Sequence, residues 1–202
     1  MEQVGKYVSK PFKTAKQMTD FEKELTECSD LFWKKNKDYG TSWRSLRMPS
    51  ITGQMLIKSE SIRNIQNVPQ YDYDGAVLVL KDNFTALVNY SVIALMQLEL
   101  GPAKGYDYAL PEKVLIGLHS EIIAEAKELH IQKDNDYNGV WRCLSVGTIA
   151  DIILMKLLRI KQIEENKGTV IVSEGVKGGY QDILNYAVFA LIKLKINDLD
   201  GF

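Results

Sequence analysis

The chain has 202 residues, 46% of them hydrophobic, which is enough for one large domain or two small ones with a sizeable core. Its 25 basic and 26 acidic residues give a formal charge of −1, which argues against general binding to duplex nucleic acid. The two cysteines match no metal-ligand spacing, no secretory signal is expected, and no stretch approaches eighteen uninterrupted apolar residues. We therefore expect a cytoplasmic protein without a membrane partner.

The first half of the chain predicts an N-terminal arm and three helices. Residues 1–18 are mixed in composition and form the arm. A capping box and an apolar period of three and four residues predict a helix over 19–35. Further helices are predicted over 51–66 and 76–100, the last of them apolar and stopped by Gly101-Pro102.

The second half predicts three more helices in the same order. A linker is expected over 101–110, and a Pro-Glu pair then opens a helix predicted over 111–132. Two more helices are predicted over 148–165 and 180–197. The segment 168–173 is the most strand-like of the chain, but it is short.

One eight-residue sequence motif, called the phrase below, occurs twice, each time after the first predicted helix of a half. The first copy reads Lys37-Asp38-Tyr39-Gly40-Thr41-Ser42-Trp43-Arg44, and the second reads Asn135-Asp136-Tyr137-Asn138-Gly139-Val140-Trp141-Arg142. The offset of 98 residues, from position 38 to position 136, holds through the Trp-Arg pair. We predict that each copy forms a short loop that brings together a carboxylate, a phenol, an indole and a guanidinium.

The repetition extends into the helices. Leu56-Ile57-Lys58 matches Leu154-Met155-Lys156, and Asn89-Tyr90 matches Asn185-Tyr186 at the slightly shorter offset of 96. We therefore predict an all-α fold of six main helices, built as a tandem duplication of a three-helix unit with pseudo-two-fold symmetry. The repeats span residues 19–101 and 111–198 and form one globular domain.

The repeated residue types suit a phosphorylated, base-bearing ligand. Cationic side chains pair with phosphate, aromatic rings stack on a base, and an amide or carboxylate reads the edge of the base. The candidate ligand-binding residues of the second copy are Tyr137, Trp141, Arg142, Lys156, Arg159, Asn185 and Tyr186. Those of the first copy are Asp38, Tyr39, Trp43, Arg44, Lys58 and Asn89.

Three acids of the second copy are the candidates for catalysis and for a metal. Asp136, Glu174 and Asp182 would place Mg²⁺ or a water. The reaction would be hydrolysis of a phosphoanhydride, in which a metal activates water and the cations stabilise the developing charge.

The two copies are not equivalent. Arg159 aligns with Ser61, and Asp182 aligns with Ala86, so the first copy lacks two charges. If a single half is functional, we expect it to be the second; alternatively, one shared site takes different residues from each copy.

Each of these signals also has a structural interpretation. The phrase could cap a turn, fill the gap between helices and pair its arginine with an aspartate. Lys58 and Lys156 could lie on a solvated face, and the two Asn-Tyr pairs could hydrogen-bond between helices. His119 and His130 are interpreted as core or surface residues.

The combined motif resembles the nucleotide modification associated domain 1 family, in the two-copy form found in Bacteroides-like bacteria. The resemblance covers about residues 20 to 195. It rests on Lys35-x-x-Asp38-Tyr39, Trp43-Arg44, Asn89-Tyr90, Lys133-x-x-Asp136-Tyr137, Trp141-Arg142, the run from Met155 to Glu164, Ser173-Glu174-Gly175, Tyr180 and Asn185-Tyr186. It implies an all-helical fold and makes a nucleotide a reasonable ligand, without an assigned reaction. Ser61, where an arginine would be expected, and the displaced glycine at Gly139 depart from the family pattern.

The leading hypothesis is a nucleotide-binding protein whose reaction would be metal-dependent phosphoanhydride hydrolysis in nucleotide or base modification. The chain is also loosely similar to all-α nucleoside triphosphate pyrophosphatases of the MazG and dimeric dUTPase kind, but their paired-acid patterns are not both found here. The alternatives are a non-catalytic nucleotide sensor and a structural helical scaffold. The expected partner is a small-molecule nucleotide, and the sequence leaves homo-oligomers open.

Overall fold

The structure, a computed structural model, describes residues 14–65, 73–105, 107–166 and 175–196. Within these ranges it contains six α-helices, two short 3₁₀ helices and no strand. The helices are α1 (Thr14–Tyr39), α2 (Met48–Asn64), α3 (Tyr73–Leu100), α4 (Glu112–Tyr137), α5 (Val146–Glu165) and α6 (Val176–Lys195). The predicted all-α fold with two three-helix units is confirmed.

The first helix of each repeat is longer than predicted. α1 begins at Thr14, so Thr19 lies inside the helix and does not cap it. Both α1 and α4 continue through the Asp-Tyr pair of the repeated phrase and end at Tyr39 and Tyr137. The prediction that the whole phrase forms a loop is therefore wrong, because neither aspartate nor tyrosine interrupts the helical hydrogen bonds.

A left-handed residue ends each of these helices. Gly40 has φ +58°, and Asn138, its counterpart, has φ +52°. Glycine has no Cβ to clash in this conformation, and asparagine is among the few other residues that adopt it. The rest of the phrase then forms a 3₁₀ turn, over Ser42–Ser45 in the first repeat and Val140–Cys143 in the second.

The remaining helix starts differ by a few residues from the prediction. α2 begins at Met48, so Pro49 lies in its first turn, where its missing N–H costs no hydrogen bond. α5 begins at Val146, and the Ser145 hydroxyl caps it by accepting from the Thr148 N–H at 3.1 Å. The strand-like segment 168–173 lies outside the described residues.

The two repeats interlock around a shared core. α3 packs most extensively on α6, and α2 packs on α5, so equivalent helices face each other across the pseudo-two-fold axis. α1 contacts α6 more extensively than α3 of its own repeat, and α4 contacts α3 more extensively than α6. The core includes Phe21, Met55, Phe84, Leu87, Ile149, Ile153, Leu184 and Val188. By length and hydropathy alone, Asp74–Leu100 in α3 could span a membrane. Long apolar helices in a protein core meet the same criteria.

The third helix of each repeat holds the backbone of the repeated phrase. In the first repeat, the Gln97 side-chain amide donates to the carbonyl oxygens of Arg44 at 3.0 Å and Leu46 at 2.7 Å. At the equivalent position of α6, the Lys193 ammonium donates to the carbonyl oxygen of Arg142 at 3.0 Å. The Trp-Arg pair is thereby fixed in the same place in both repeats.

Candidate functional site

In the second repeat, the carboxylate of Asp182 forms ion pairs with two lysines. The Lys156 ammonium donates to Asp182 Oδ2 at 2.6 Å, and the Lys133 ammonium contacts Oδ1 of the same side chain. Asp182 and Lys156 are largely shielded from water, with 13% and 18% of their side chains exposed, so the pairing is screened less than on an open surface. The three residues join α4, α5 and α6, and the single carboxylate offsets one of the two positive charges.

The arginine of the second phrase pairs with Asp134, not with Asp136. The Arg142 guanidinium donates to both Asp134 oxygens, at 3.1 and 3.0 Å, and the Trp141 indole N–H donates to Oδ1 at 2.9 Å. Burial raises the pKa of Asp134, but the hydrogen bonds from Arg142 and Trp141 outweigh it and leave the pKa below its usual value. Asp136 is exposed.

The predicted stacking residues of the second repeat differ in accessibility. The Trp141 ring stacks on Phe189 with centroids 4.3 Å apart, and the Arg142 guanidinium lies 4.5 Å from its centroid. The Trp141 ring is therefore already in contact with other side chains of the protein. Tyr137 is 65% exposed and presents its ring to solvent.

The ion network borders a cavity of about 320 Å³ in the second repeat, which we call the second cavity. Its walls include Lys133, Asp134, Tyr137, Val140, Trp141, Lys156, Asp182, Asn185, Tyr186 and Phe189. The Asn185 amide is buried and makes no hydrogen bond within the described part of the chain. The structure thus brings most of the predicted ligand-binding residues of this repeat together.

Three described residues among those predicted for this repeat, Asp136, Arg142 and Arg159, are not part of that wall. Asp136 does not line the second cavity. Arg159 is exposed and lines a separate, small crevice beside Gly175 and Gly179. Glu174 lies outside the described residues.

The first repeat has an equivalent cavity of about 450 Å³, which we call the first cavity. Nine residues of its wall are equivalent, at offsets of 98 or 96, to residues that line the second cavity: Lys35, Asn36, Tyr39, Ser42, Trp43, Ala86, Asn89, Tyr90 and Ile93. Like Asp136, Asp38 is exposed and does not line the cavity. The duplicated sequence therefore builds two cavities of one design.

The two cavities differ in charge. Ala86 replaces Asp182, and Asn36 replaces Asp134, so the described wall of the first cavity contains Lys35 and no carboxylate. Lys58, the counterpart of Lys156, is half-buried on α2 and lies outside this wall. Among the described residues, neither Lys35 nor Lys58 has an ion-pair partner.

The neutral Asn36 leaves several buried polar atoms of the first phrase unpaired. The Asn36 Oδ1, the Trp43 indole N–H, and the Nε and Nη1 atoms of Arg44 make no hydrogen bond within the described ranges. In the second repeat Asp134 accepts from the equivalent indole and guanidinium. Arg44 is only 9% exposed, and buried guanidinium nitrogens that lack an acceptor are costly.

One family model matches the chain in two segments, residues 35–98 and 133–194, which contain all of the second cavity's wall and all but Phe32 of the first cavity's wall. The model describes nucleotide modification associated domain 1, and the matched segments cover more than half of the chain. The chain belongs to this family. The two matches also confirm the two-copy form that the sequence resemblance predicted. No curated protein and no solved structure matches the chain.

Within the described part of this family member, no three His, Cys, Asp or Glu side chains cluster as a metal site would require. Both oxygens of Asp182 contact lysine ammonium groups, and Asp136 is exposed. Asp136 and Asp182 therefore do not form a magnesium site in their present arrangement. Mg²⁺ binding by Asp136, Glu174 and Asp182 stays a prediction.

Internal repetition gives no signal for Asp134, the acid that pairs with Trp141 and Arg142 in the second repeat. It aligns with Asn36, so it does not belong to the conserved part of the internal repeat. A comparison of the two copies for changes in charge would have found Asn36/Asp134 as well as Ala86/Asp182. These two changes account for the different electrostatics of the cavities.

Proposed function

We propose that the chain is a nucleotide-binding protein and that the phosphate of the ligand lies in the first cavity. The main support is that Ala86 stands in the first repeat where the second repeat has the carboxylate of Asp182. In the second repeat, a carboxylate of the protein itself lies between two lysines. In the first repeat that carboxylate is missing, and a phosphate oxygen would take its place beside Lys35, the cation of the described cavity wall.

The remaining wall of the first cavity supports a ligand that carries a base. Tyr39 is 69% exposed, and its ring is accessible for stacking. The half-buried Tyr90 and Asn89 add a second ring and an amide that can both donate and accept hydrogen bonds. A cation, aromatic rings and an amide in one wall favour a nucleotide over an inorganic anion.

Binding is the proposed activity, and hydrolysis stays a prediction. The described wall of the first cavity contains no carboxylate or histidine that could serve as a general base. A nucleotide sensor would bind without turnover, whereas the hydrolase hypothesis requires release of phosphate or pyrophosphate. Titration with a set of nucleotides, followed by analysis of the products, distinguishes a sensor from a hydrolase.

The test is isothermal titration of the pure protein with nucleoside mono- and triphosphates, the corresponding nucleosides and inorganic phosphate. Each titration is run with and without Mg²⁺, and the products are analysed afterwards. We expect nucleotides to bind at one site, and to bind about tenfold more tightly than nucleosides, since a charge-assisted contact is worth about 1–3 kcal/mol. Added salt should weaken binding.

A pair of neighbouring lysines on α1 provides matched variants. Lys35→Ala should weaken nucleotide binding about fivefold, because Lys35 lines the first cavity. Lys34→Ala makes the same change in net charge one residue away, on an exposed side chain that does not line this cavity, and should have little effect. No heat and no thermal shift with any nucleotide, or equal weakening by both variants, would contradict the proposal.

A further inference from the structure

A larger cavity of about 720 Å³ adjoins the first cavity at the end of α1. We call it the linker cavity, because Tyr108, Ala109 and Leu110 of the inter-repeat linker form one wall. The other walls come from the end of α1 and the first turns of α4. The Thr41 hydroxyl fixes the linker by donating to the carbonyl oxygen of Tyr108 at 2.7 Å.

The last turns of α1 separate the two cavities. Trp33 and Lys37 face the linker cavity, whereas Lys35 and Tyr39 face the first cavity. Asn36 lines both, since its position on the helix lies between these two faces. The Asn36 side chain is partly exposed and lines both cavities, so it can contact a ligand that spans the boundary. Its buried oxygen has no hydrogen-bond partner among the described residues.

The walls of the linker cavity suit a flat aromatic group. Trp33 and Tyr108 supply rings, and Leu115 and Ile116 supply aliphatic surface. The Trp33 ring is supported from within the core by His119, whose centroid is 5.0 Å away. These walls offer a nucleobase surfaces for stacking, and the Asn36 amide together with Lys37, Glu112 and Ser120 offers polar partners for its edge.

We propose that the ligand is a dinucleotide that occupies both cavities. The proposal rests on the proposed function. One nucleoside and its phosphate would lie in the first cavity, and the second base would lie in the linker cavity. Asn36 would then lie beside the connection between the two halves. Each cavity alone falls within the range of about 300–1,000 Å³ that is typical of small-molecule sites. A mononucleotide would therefore leave the linker cavity unfilled.

The experiment compares 5′-phosphorylated homodinucleotides of the four bases with the four mononucleotides, by titration calorimetry on the full chain. At least one dinucleotide should bind about tenfold more tightly than its mononucleotide, since stacking of one base is worth about 1–3 kcal/mol. Ile116→Trp fills the linker cavity and should remove this gain while leaving mononucleotide affinity unchanged. Val114→Trp, at an exposed α4 position that does not line this cavity, is the matched control and should keep the gain.

Tyr108→Ala removes a wall of the linker cavity and gives a second test that does not depend on accommodating a larger side chain. It should reduce the dinucleotide gain and spare mononucleotide binding. Equal affinity for mono- and dinucleotides, or equal loss of both in Ile116→Trp and Tyr108→Ala, would overturn the two-cavity inference and leave the proposed function standing. Failure of both ligand classes to bind would overturn the proposed function itself.

Discussion

Lys156 donates a hydrogen bond of 2.6 Å to Asp182 and so joins α5 to α6 in the second repeat. The equivalent positions of the first repeat hold Lys58 and Ala86, between which no such bond can form. The duplication therefore places two related cavities in the same molecule, one whose lysines are ion-paired with a carboxylate and one whose described wall has no carboxylate. Each can be converted towards the other by exchanging the residues at which they differ.

Ala86→Asp should convert the first cavity to the ion-paired type. The new carboxylate would attract Lys35 and Lys58 and occupy the place proposed for phosphate. We expect nucleotide affinity to fall by about tenfold or more, measured by calorimetry, because a like charge opposes the ligand and its cations are engaged. Ala86→Asn introduces a side chain of similar size without charge and should keep most of the affinity. Equal losses in both variants would indicate steric exclusion instead.

Asp182→Ala should have the reverse effect in the second repeat. Removing the carboxylate leaves Lys133 and Lys156 without their shared partner, so the free energy of unfolding should fall by about 1–3 kcal/mol. The same variant should gain a second nucleotide-binding event, because its second cavity then resembles the first. Urea denaturation and the calorimetric stoichiometry measure the two effects. An unchanged stoichiometry would show that loss of this acid is insufficient to create a site.

Asn36 and Asp134 form the second reciprocal pair. Asp134→Asn removes the carboxylate that accepts from Arg142 and Trp141, and should lower the free energy of unfolding by about 2–3 kcal/mol. Asn36→Asp offers a carboxylate to the buried Arg44 and should raise it by about 1 kcal/mol. Denaturation curves of the two variants measure this. Destabilisation by Asn36→Asp would mean that the Nε and Nη1 atoms of Arg44 are directed away from position 36.

Most of the fold could be predicted from local pattern and internal repetition. The apolar period identified the six helices, and the constant offset related residues such as Asn89 and Asn185 before any contact was known. The helix ends were less predictable, because residues on both sides of a boundary are compatible with a helix. α1 continues through Asp38-Tyr39 to the left-handed Gly40, which supplies the effective stop.

The polar contacts between the repeats could not be predicted in the same way. Thr52 and Tyr180 form a buried hydrogen bond of 2.7 Å, although 128 positions separate them in sequence. Their counterparts in the other copy are Ala150 and Phe84, so repetition gives no signal for the pair. Such a contact depends on how α2 and α6 pack together, which local spacing does not determine.

Tyr180→Phe tests what this buried cluster contributes to stability. The Tyr180 hydroxyl also donates to Glu164 at 3.2 Å, and burial raises the pKa of that carboxyl group. Removing the hydroxyl should lower the free energy of unfolding by about 1–2 kcal/mol, measured by urea denaturation. The ring itself should fit, since Phe84 fills the equivalent position of the first repeat. Tyr137→Phe, on an exposed ring, is the control and should change stability little.

Two buried histidines should make stability depend on pH. His119 is 5% exposed, packs between Phe32 and Trp33, and burial lowers its pKa from 6.5 to about 4. The folded state therefore resists protonation, whereas the unfolded chain binds a proton below pH 6.5. The contribution of His119 to stability should be fully present above pH 6.5, fall as the pH decreases to about 4, and change little below that. Its size is at most about 3 kcal/mol.

His119→Phe removes the titrating group and keeps an aromatic ring, as Phe21 does at the equivalent position of the first repeat. The free energy of unfolding, measured in urea at several values between pH 4 and 7.5, should therefore vary less with pH in the variant than in the parent chain. Burial also lowers the pKa of His130, so a smaller slope should remain and decrease further in the double variant with His130→Phe. Identical pH dependence in the parent chain and His119→Phe would show that this imidazole becomes protonated in the folded state as readily as in the unfolded chain.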